Sequence, residues 1–214
     1  MKKTALLAGA TGLTGAALLE QLLAHPAYDT VVVLVRRELP IQHPKLRQIK
    51  FDFDHPNPDV LRGDDFYCAL GTTLAKAGSQ AAQYKIDCTY PSELGRLARA
   101  NGVQRYLLVS SVGADAQSGN FYLRTKGELE NNLKALKFDR FVAARPSFLL
   151  GQRQEFRLGE RIGIVLSYII SPLLMGGLRK YKGIQVRQVA AGLIRLANDG
   201  QTGDLVVEYD GLVG

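Results

Sequence analysis

Cysteine is scarce in this chain of 214 residues: only Cys68 and Cys88 occur, in segments that read as a strand and a helix. A disulfide scaffold is therefore excluded and a reducing compartment is expected, which we read as the cytoplasm. Histidine is little better represented. His25, His43 and His55 are scattered, and without clustered cysteines they give no spacing for a structural zinc site, so no metal is expected. Long apolar runs are missing as well. The longest, IGIVLSYIISPLLM at 162–175, is too short to span a bilayer and holds a proline and two serines, so it reads as a buried helix or pocket wall. The N-terminus imitates a secretory signal, but Gly9, Thr11, Gly12, Thr14 and Gly15 interrupt its apolar run, and an amphipathic stretch follows where a cleavage site would stand. A signal is not expected.

Charge of one sign is in excess, at a formal +7, yet no basic helix and no basic stretch interleaved with aromatics is present. The densest basic region, RRELPIQHPKLRQIK at 36–50, is broken by proline and glutamate and reads as a solvated loop. Nucleic acid is thus not the expected partner, and an anionic membrane surface or a phosphate-bearing ligand remains.

What is present is an ordinary globular composition, 46% hydrophobic and 22% charged, in a length that fits one domain over residues 1–214. Strand patterns at 4–8, 30–35, 48–53, 65–70, 105–110, 140–145 and 204–209 alternate with helical patterns at 13–24, 79–100, 122–136 and 186–197, with Pro91 expected to break or kink the second helix. This order predicts the α/β class: right-handed βαβ units building an open, doubly wound parallel sheet. The one composition shift, at 151–183, reads as a small irregular lobe over the carboxyl ends of the strands, a substrate or lid segment.

Two stretches carry chemistry. GATGLTG at 9–15 lies between the first strand and the first helix, the context of a phosphate-binding turn. Its glycines permit positive φ and close backbone approach, and the helix N-terminus offers free N–H groups to an anion. Gly9, Thr11, Gly12, Leu13 and Gly15 are the candidates; a tight turn needing no ligand would look similar. In FYLRTKGELE at 121–130, Tyr122 stands four positions before Lys126, in one stripe with Leu129, Leu133 and Leu136. Such a stripe normally faces the core, so a lysine within it either snorkels to water or serves a purpose.

Together, the glycine turn, VSSVGAD at 109–115 and the Tyr122/Lys126 pair resemble the short-chain dehydrogenase/reductase superfamily. RPSFLLGQRQEFRLGE at 145–160 and CALGTT at 68–73 are similar to its atypical branch, the one holding the Tat-interacting oxidoreductase-like proteins. The resemblance spans almost the whole chain and implies a Rossmann-type fold that binds NADP(H). It implies that Lys126 hydrogen-bonds the nicotinamide ribose and favours the phenolate of Tyr122, the general acid. It implies a substrate-polarising serine, Ser111 or alternatively Ser110, although paired serines at a strand end also serve as turn formers. Asp52 and Phe53 would border the adenine, Gly71 and Thr72 would lie along the dinucleotide, and Pro146 and Ser147 would approach the nicotinamide. The segment Arg153–Glu160 marks the branch without an assigned role; an internal ion-pair network is the plain guess.

There are two departures. Where many members carry a relay asparagine, KIDCTY offers Asp87, which bears on the proton relay. Where an acidic residue would hold a ribose 2′-OH, Arg36 and Arg37 follow the second strand. Guanidinium forks suit a 2′-phosphate, unless the two merely face solvent. The expected function is reduction of a small carbonyl compound. The alternative is an NADP(H)-binding regulatory or assembly protein with little turnover, and a protein partner or homodimer is left open. A sugar-nucleotide epimerase is disfavoured, because roughly 70 residues follow Arg145.

Overall fold

A computed structural model describes residues 2–151 and 176–214. Seven parallel strands form one sheet: β1 (Lys3–Ala8), β2 (Tyr28–Val35), β3 (Leu46–Lys50), β4 (Asp65–Cys68), β5 (Arg105–Val109), β6 (Arg140–Ala144) and β9 (Gly203–Val207). Their spatial order is β3-β2-β1-β4-β5-β6-β9. The chain therefore winds outward from β1 to one edge, then returns beside it at β4 and winds to the other. The reversal between β1 and β4 opens a crevice at the strands' carboxyl ends, where open α/β sheets take ligands. A second sheet pairs β7 (Leu149–Leu150) with β8 (Ile184–Gln185).

The period of two in the strands sorts the core into two layers. In β1, Leu7 joins Tyr67, Leu107 and Val142 beneath α1 (Leu13–Ala24) and α6 (Val186–Ala197), which contribute Leu18, Leu22, Val189 and Leu193. Leu6 faces the other way, with Phe66, Tyr106 and Phe141, under α4 (Tyr90–Ala100) and α5 (Phe121–Ala135), which contribute Leu94, Leu129 and Leu133. Burial on both faces explains why TVVVLV lacks polar alternation.

Three elements differ from the expected bounds for physical reasons. β3 is registered from Val31↔Leu46 to Val35↔Lys50, so it ends level with β2, and Asp52 and Phe53 fall in the following loop. Pro91 does not break its helix. Residues from α3 (Gln80–Tyr84) to α4 are helical throughout, but the turn Lys85–Thr89 widens to a π-turn in which Tyr90 N–H donates to Lys85 O. Pro91 has no N–H and its ring crowds the carbonyl four residues back; the wider turn gives it room and points Asp87 and Cys88 inward. β9 ends at Val207, and α7 (Tyr209–Val213) takes up the remainder; the short α2 spans Leu74–Ala77. Of the 151–183 lobe, 152–175 lies outside the described residues, and with it the Arg153–Glu160 signature. The described part is a 3-10 turn, Gly176–Tyr181, leading into β8.

At the amino ends of the strands lies a buried charge. Asp65 is 0% exposed and takes Tyr28 Oη at 2.5 Å, Lys3 Nζ at 3.2 Å and Arg105 Nη1 at 3.1 Å. Tyr28 in turn meets Tyr67 Oη at 2.7 Å and accepts from Asn198 at 3.1 Å. Burial, then the Asp65 charge, pushes the Tyr28 phenol far up, so it stays a neutral donor. This cluster ties β1, β2, β4 and β5 together at the end remote from the crevice. Asp65→Asn is expected to lower stability towards the lower end of about 3–5 kcal/mol, since Lys3 and Arg105 keep partial access to water. Urea unfolding measures this, and nucleotide affinity should not change.

Candidate active site

Five of the strands hand their next residues to the carboxyl-end side: Gly9 after β1, Arg36 after β2, Ala69 after β4, Ser110 after β5 and Arg145 after β6. The first turn is dictated by its glycines, but not equally. Gly9 has φ +91°, and a Cβ there would lie 2.5 Å from the Ala69 carbonyl. A Cβ on Gly15 would lie 2.0 Å from Gly9 O. Both are required by the fold itself. Gly12 is not: its φ is −81°, and an added Cβ would meet Gly9 O at 3.4 Å, an ordinary contact. Gly12 N–H is bonded to Gly9 O at 3.0 Å, and Thr11 and Gly12 are exposed. Beyond them α1 starts with no side-chain cap and no acidic residue in its first turn. The first-turn N–H groups from half-buried Leu13 onward thus keep their partial positive charge for an outside anion. These features fit a dinucleotide's pyrophosphate: an uncapped helix start and a glycine whose bareness the protein does not need.

Across the crevice stands α5. Lys126 does not snorkel; its side chain is 3% exposed and its Nζ lies 3.0 Å from Asp87 Oδ1 in the π-turn. The contact is close but poorly directed, because Asp87 Oδ1 has no aligned hydrogen bond. The other oxygen, Oδ2, accepts Thr72 N–H at 3.2 Å. A Cβ on exposed Gly71 would come within 3.2 Å of Asp87 Oδ1 and 3.9 Å of Lys126 Nζ, so bare backbone roofs the pair. Burial opposes the ammonium, but attraction to Tyr122 and Asp87 outweighs it, and the Lys126 pKa is raised. The same Nζ lies 5.9 Å from the centroid of the half-buried Tyr122 ring.

Ser110 and Ser111 separate clearly. Ser110 is buried and donates to Glu130 Oε1 at 2.5 Å. Ser111 is half-buried and makes only a long 3.3 Å contact to Val112 O. The loop that follows crosses α5 at Gly127, where a Cβ would lie 2.1 Å from Ala116 N, and Asp115 N–H donates to Leu123 O at 3.1 Å. Ser111 is thereby set beside the helix that carries Tyr122 and Lys126. Val112 N–H donates to buried Pro146 O at 3.0 Å, and Ser147 Oγ donates to Lys182 O, which draws the β6 end into the same group.

The remaining candidates sit at the rim. Arg36 and Arg37 are exposed, with no ion-pair partner among the described residues. Asp52 is exposed, and its hydrogen bond with His55 at 3.1 Å, the largest cause, holds its pKa down. Phe53 is tilted on Tyr90 at 5.6 Å and edge-on to Phe51 at 5.0 Å. Two residues, one buried and one half-buried, escaped the sequence reading. Glu130 is 1% exposed, and Arg145 grips it through both guanidinium edges, at 2.9 and 2.8 Å. The available signal was the spacing, for Glu130 falls four positions after Lys126 as Lys126 does after Tyr122.

Among the described residues no helix is long and apolar enough to cross a membrane, and no group of three or more potential ligands could hold a metal ion. The sheet order and the glycine turn define a Rossmann-type NAD(P)-binding protein. Residues 9–158 match the family described as NAD(P)H-binding. Protein fmp52, mitochondrial, of Emericella nidulans is 35% identical, over 95% of this chain and 93% of that protein. Protein HTATIP2 of Rattus norvegicus is 37% identical, over 74% of this chain and 67% of its own. The chain belongs to this NAD(P)H-binding family, as an atypical short-chain dehydrogenase/reductase of the NAD(P)-binding Rossmann superfamily. Among solved structures, MoeE5 in complex with UDP-glucose and NAD superposes with a TM-score of 0.72, over 96% of this chain and 75% of that one, at 19% identity; it speaks for the fold alone.

One expectation is corrected. The cytoplasmic assignment is contradicted by the fungal relatives, which are named mitochondrial. Cysteine usage reports redox state, and more than one compartment is reducing, so it could not supply an address.

The two kinds of glycine make a prediction. Gly12→Ala should fold with wild-type stability and lose nucleotide binding by at least about tenfold. Gly15→Ala should itself be destabilised by about 1–3 kcal/mol or more through overpacking. Thermal melts paired with calorimetric titration measure both.

Proposed function

We propose that this chain is an NADP(H)-dependent oxidoreductase that reduces a small carbonyl compound. The observation that carries the reading is the buried Lys126–Asp87 pair roofed by Gly71, with Tyr122 one turn earlier on α5. A helix needing only to pack would bury methionine or leucine there at lower cost than an ion pair.

In this reading Gly9, Thr11, Gly12, Leu13 and Gly15 receive the pyrophosphate at the start of α1. Gly71 and Thr72 run along the dinucleotide, Asp52 and Phe53 border the adenine, and Pro146 and Ser147 flank the nicotinamide. Lys126 hydrogen-bonds the nicotinamide ribose. Its charge also favours the oxygen left negative when Tyr122 gives up a proton. Tyr122 passes that proton to the carbonyl oxygen, and Ser111 donates a hydrogen bond to the same atom as charge builds there. When bound, NADPH supplies the hydride that completes the reduction at carbon. Asp87 holds the lysine rather than replacing the family's asparagine in function. Residues 1–214 act as one NAD(P)-binding domain.

The cofactor choice rests on Arg36 and Arg37, exposed at the end of β2 and suited to a 2′-phosphate. Fluorescence titration should find NADPH bound about tenfold or more tighter than NADH, with the preference shrinking as salt rises. Equal affinities would remove these two arginines from the account.

The chemistry is tested by Tyr122→Phe, with NADPH oxidation screened against aldehydes, ketones and quinones. The variant should lose about 10²–10⁴ in rate and keep its NADPH affinity. Full turnover would make Tyr122 a packing residue. A wild-type protein that binds NADPH tightly yet reduces nothing in the panel would favour the regulatory reading instead.

A further inference from the structure

Glu130 stands one helical turn beyond Lys126 and two beyond Tyr122, with 1% of its surface exposed. A buried carboxylate is costly unless its lone pairs are met, and here three hydrogen bonds reach it from outside the helix and two more fix the donors. Arg145 donates from Nε to Oε1 at 2.9 Å and from Nη2 to Oε2 at 2.8 Å, while Ser110 Oγ donates to Oε1 at 2.5 Å. The two donors are themselves held by the sheet. Ser110 N–H donates to Ala144 O at the end of β6, and Arg145 N–H donates to Val207 O at the end of β9, both at 2.7 Å. One side chain of α5 is thus locked to the carboxyl ends of β5 and β6, and through Arg145 to β9.

The geometry of α5 gives this lock a consequence beyond stability. Lys126 is drawn towards the π-turn that follows β4, and Glu130 towards the ends of β5 and β6. Opposite charges one turn apart, pulled by different elements, fix both the rotation of the helix and its position along its axis. The helix presents Tyr122, whereas Ser111 is covalently next to the clamped Ser110. We propose that Ser110, Glu130 and Arg145 form a positioning clamp that sets the Ser111 hydroxyl against the Tyr122 hydroxyl. The three are positioning residues: none needs to touch substrate or nucleotide. Misplacement of reacting groups by about 1 Å costs on the order of 10²-fold in rate, so the clamp matters to turnover far more than to binding.

The kinetic arm rests on the carbonyl-reduction reading; the second arm does not. Two variants remove one tether each: Ser110→Ala deletes a hydroxyl, and Glu130→Gln keeps the shape but removes the charge that Arg145 grips. Arg145 keeps 23% of its side-chain surface in solvent, so the released guanidinium can rehydrate and the variant should fold. Each should lower kcat by about 10²-fold, with KM and the NADPH Kd within about twofold of wild type. The double variant should lose no more than the worse single one, because one device has been broken twice. A purely structural role would instead lower the folded fraction and leave kcat per folded molecule unchanged, and that result overturns the proposal. If wild type reduces no carbonyl, the carbonyl reading fails and amide hydrogen exchange decides the clamp. Both variants should then speed exchange at 111–116 and 121–129 at least about tenfold, with the 9–15 turn unaffected. Unchanged exchange in the first two segments sinks the clamp on this arm as well.

Discussion

Burying an ammonium and a carboxylate side by side is a costly way to hold a helix, and the crevice of this protein is organised around such a pair. Lys126 and Asp87 are each almost fully withdrawn from water, and their attraction must offset the loss of hydration of both. Several features make sense only with the pair in place. The π-turn at Lys85–Thr89 brings Asp87 inward, Thr72 N–H satisfies its second oxygen, and the bare backbone of Gly71 fits over both charges. Asp87 Oδ1 is left facing the Lys126 ammonium at 3.0 Å, withdrawn from water with it.

The molecule divides its charged groups between the two ends of the sheet. At the amino ends, Asp65 collects Lys3, Arg105 and Tyr28 in a cluster completed by Tyr67 and Asn198. At the carboxyl ends lie the Lys126–Asp87 and Arg145–Glu130 pairs, on or against the helix that also carries Tyr122. The division follows from parallel topology. All seven strands point the same way, so the loops at their carboxyl ends gather on one side of the sheet, where the β1/β4 reversal opens the crevice, and the opposite end is free to serve stability.

Much of this was legible in the sequence. The βα alternation, the helix at 13–24, the helix at 186–197 and the glycine turn all followed from local pattern. The lysine in an apolar stripe was visible from spacing alone, and the structure buries it against Asp87. What pattern could not show depends on contacts between distant residues. Lys3, Asp65 and Arg105 are separated by 62 and 40 positions, and no local rule joins them. The extent of β3 was misjudged because its end is set by the end of β2, which places Asp52 and Phe53 in a loop. Pro91 signalled a break, and the helix answered with a wider turn instead. That Ser110 is engaged by Glu130 while Ser111 is not also depends on a contact twenty positions away that no local rule shows. The compartment was misread, because cysteine counts report redox conditions only.

The central claim is that the crevice beside Tyr122 and Lys126 is a centre for hydride transfer from NADPH to a carbonyl carbon. Deuterium transfer tests it most directly. NADPH carrying deuterium at C4 of the nicotinamide, separately on each face, is incubated with the protein and the best carbonyl acceptor of a panel, and the alcohol formed is analysed by mass spectrometry and NMR. The account predicts that deuterium from one face alone appears on the new carbinol carbon. Deuterium that stays in the nucleotide, or an alcohol whose new C–H hydrogen comes from solvent, would contradict it.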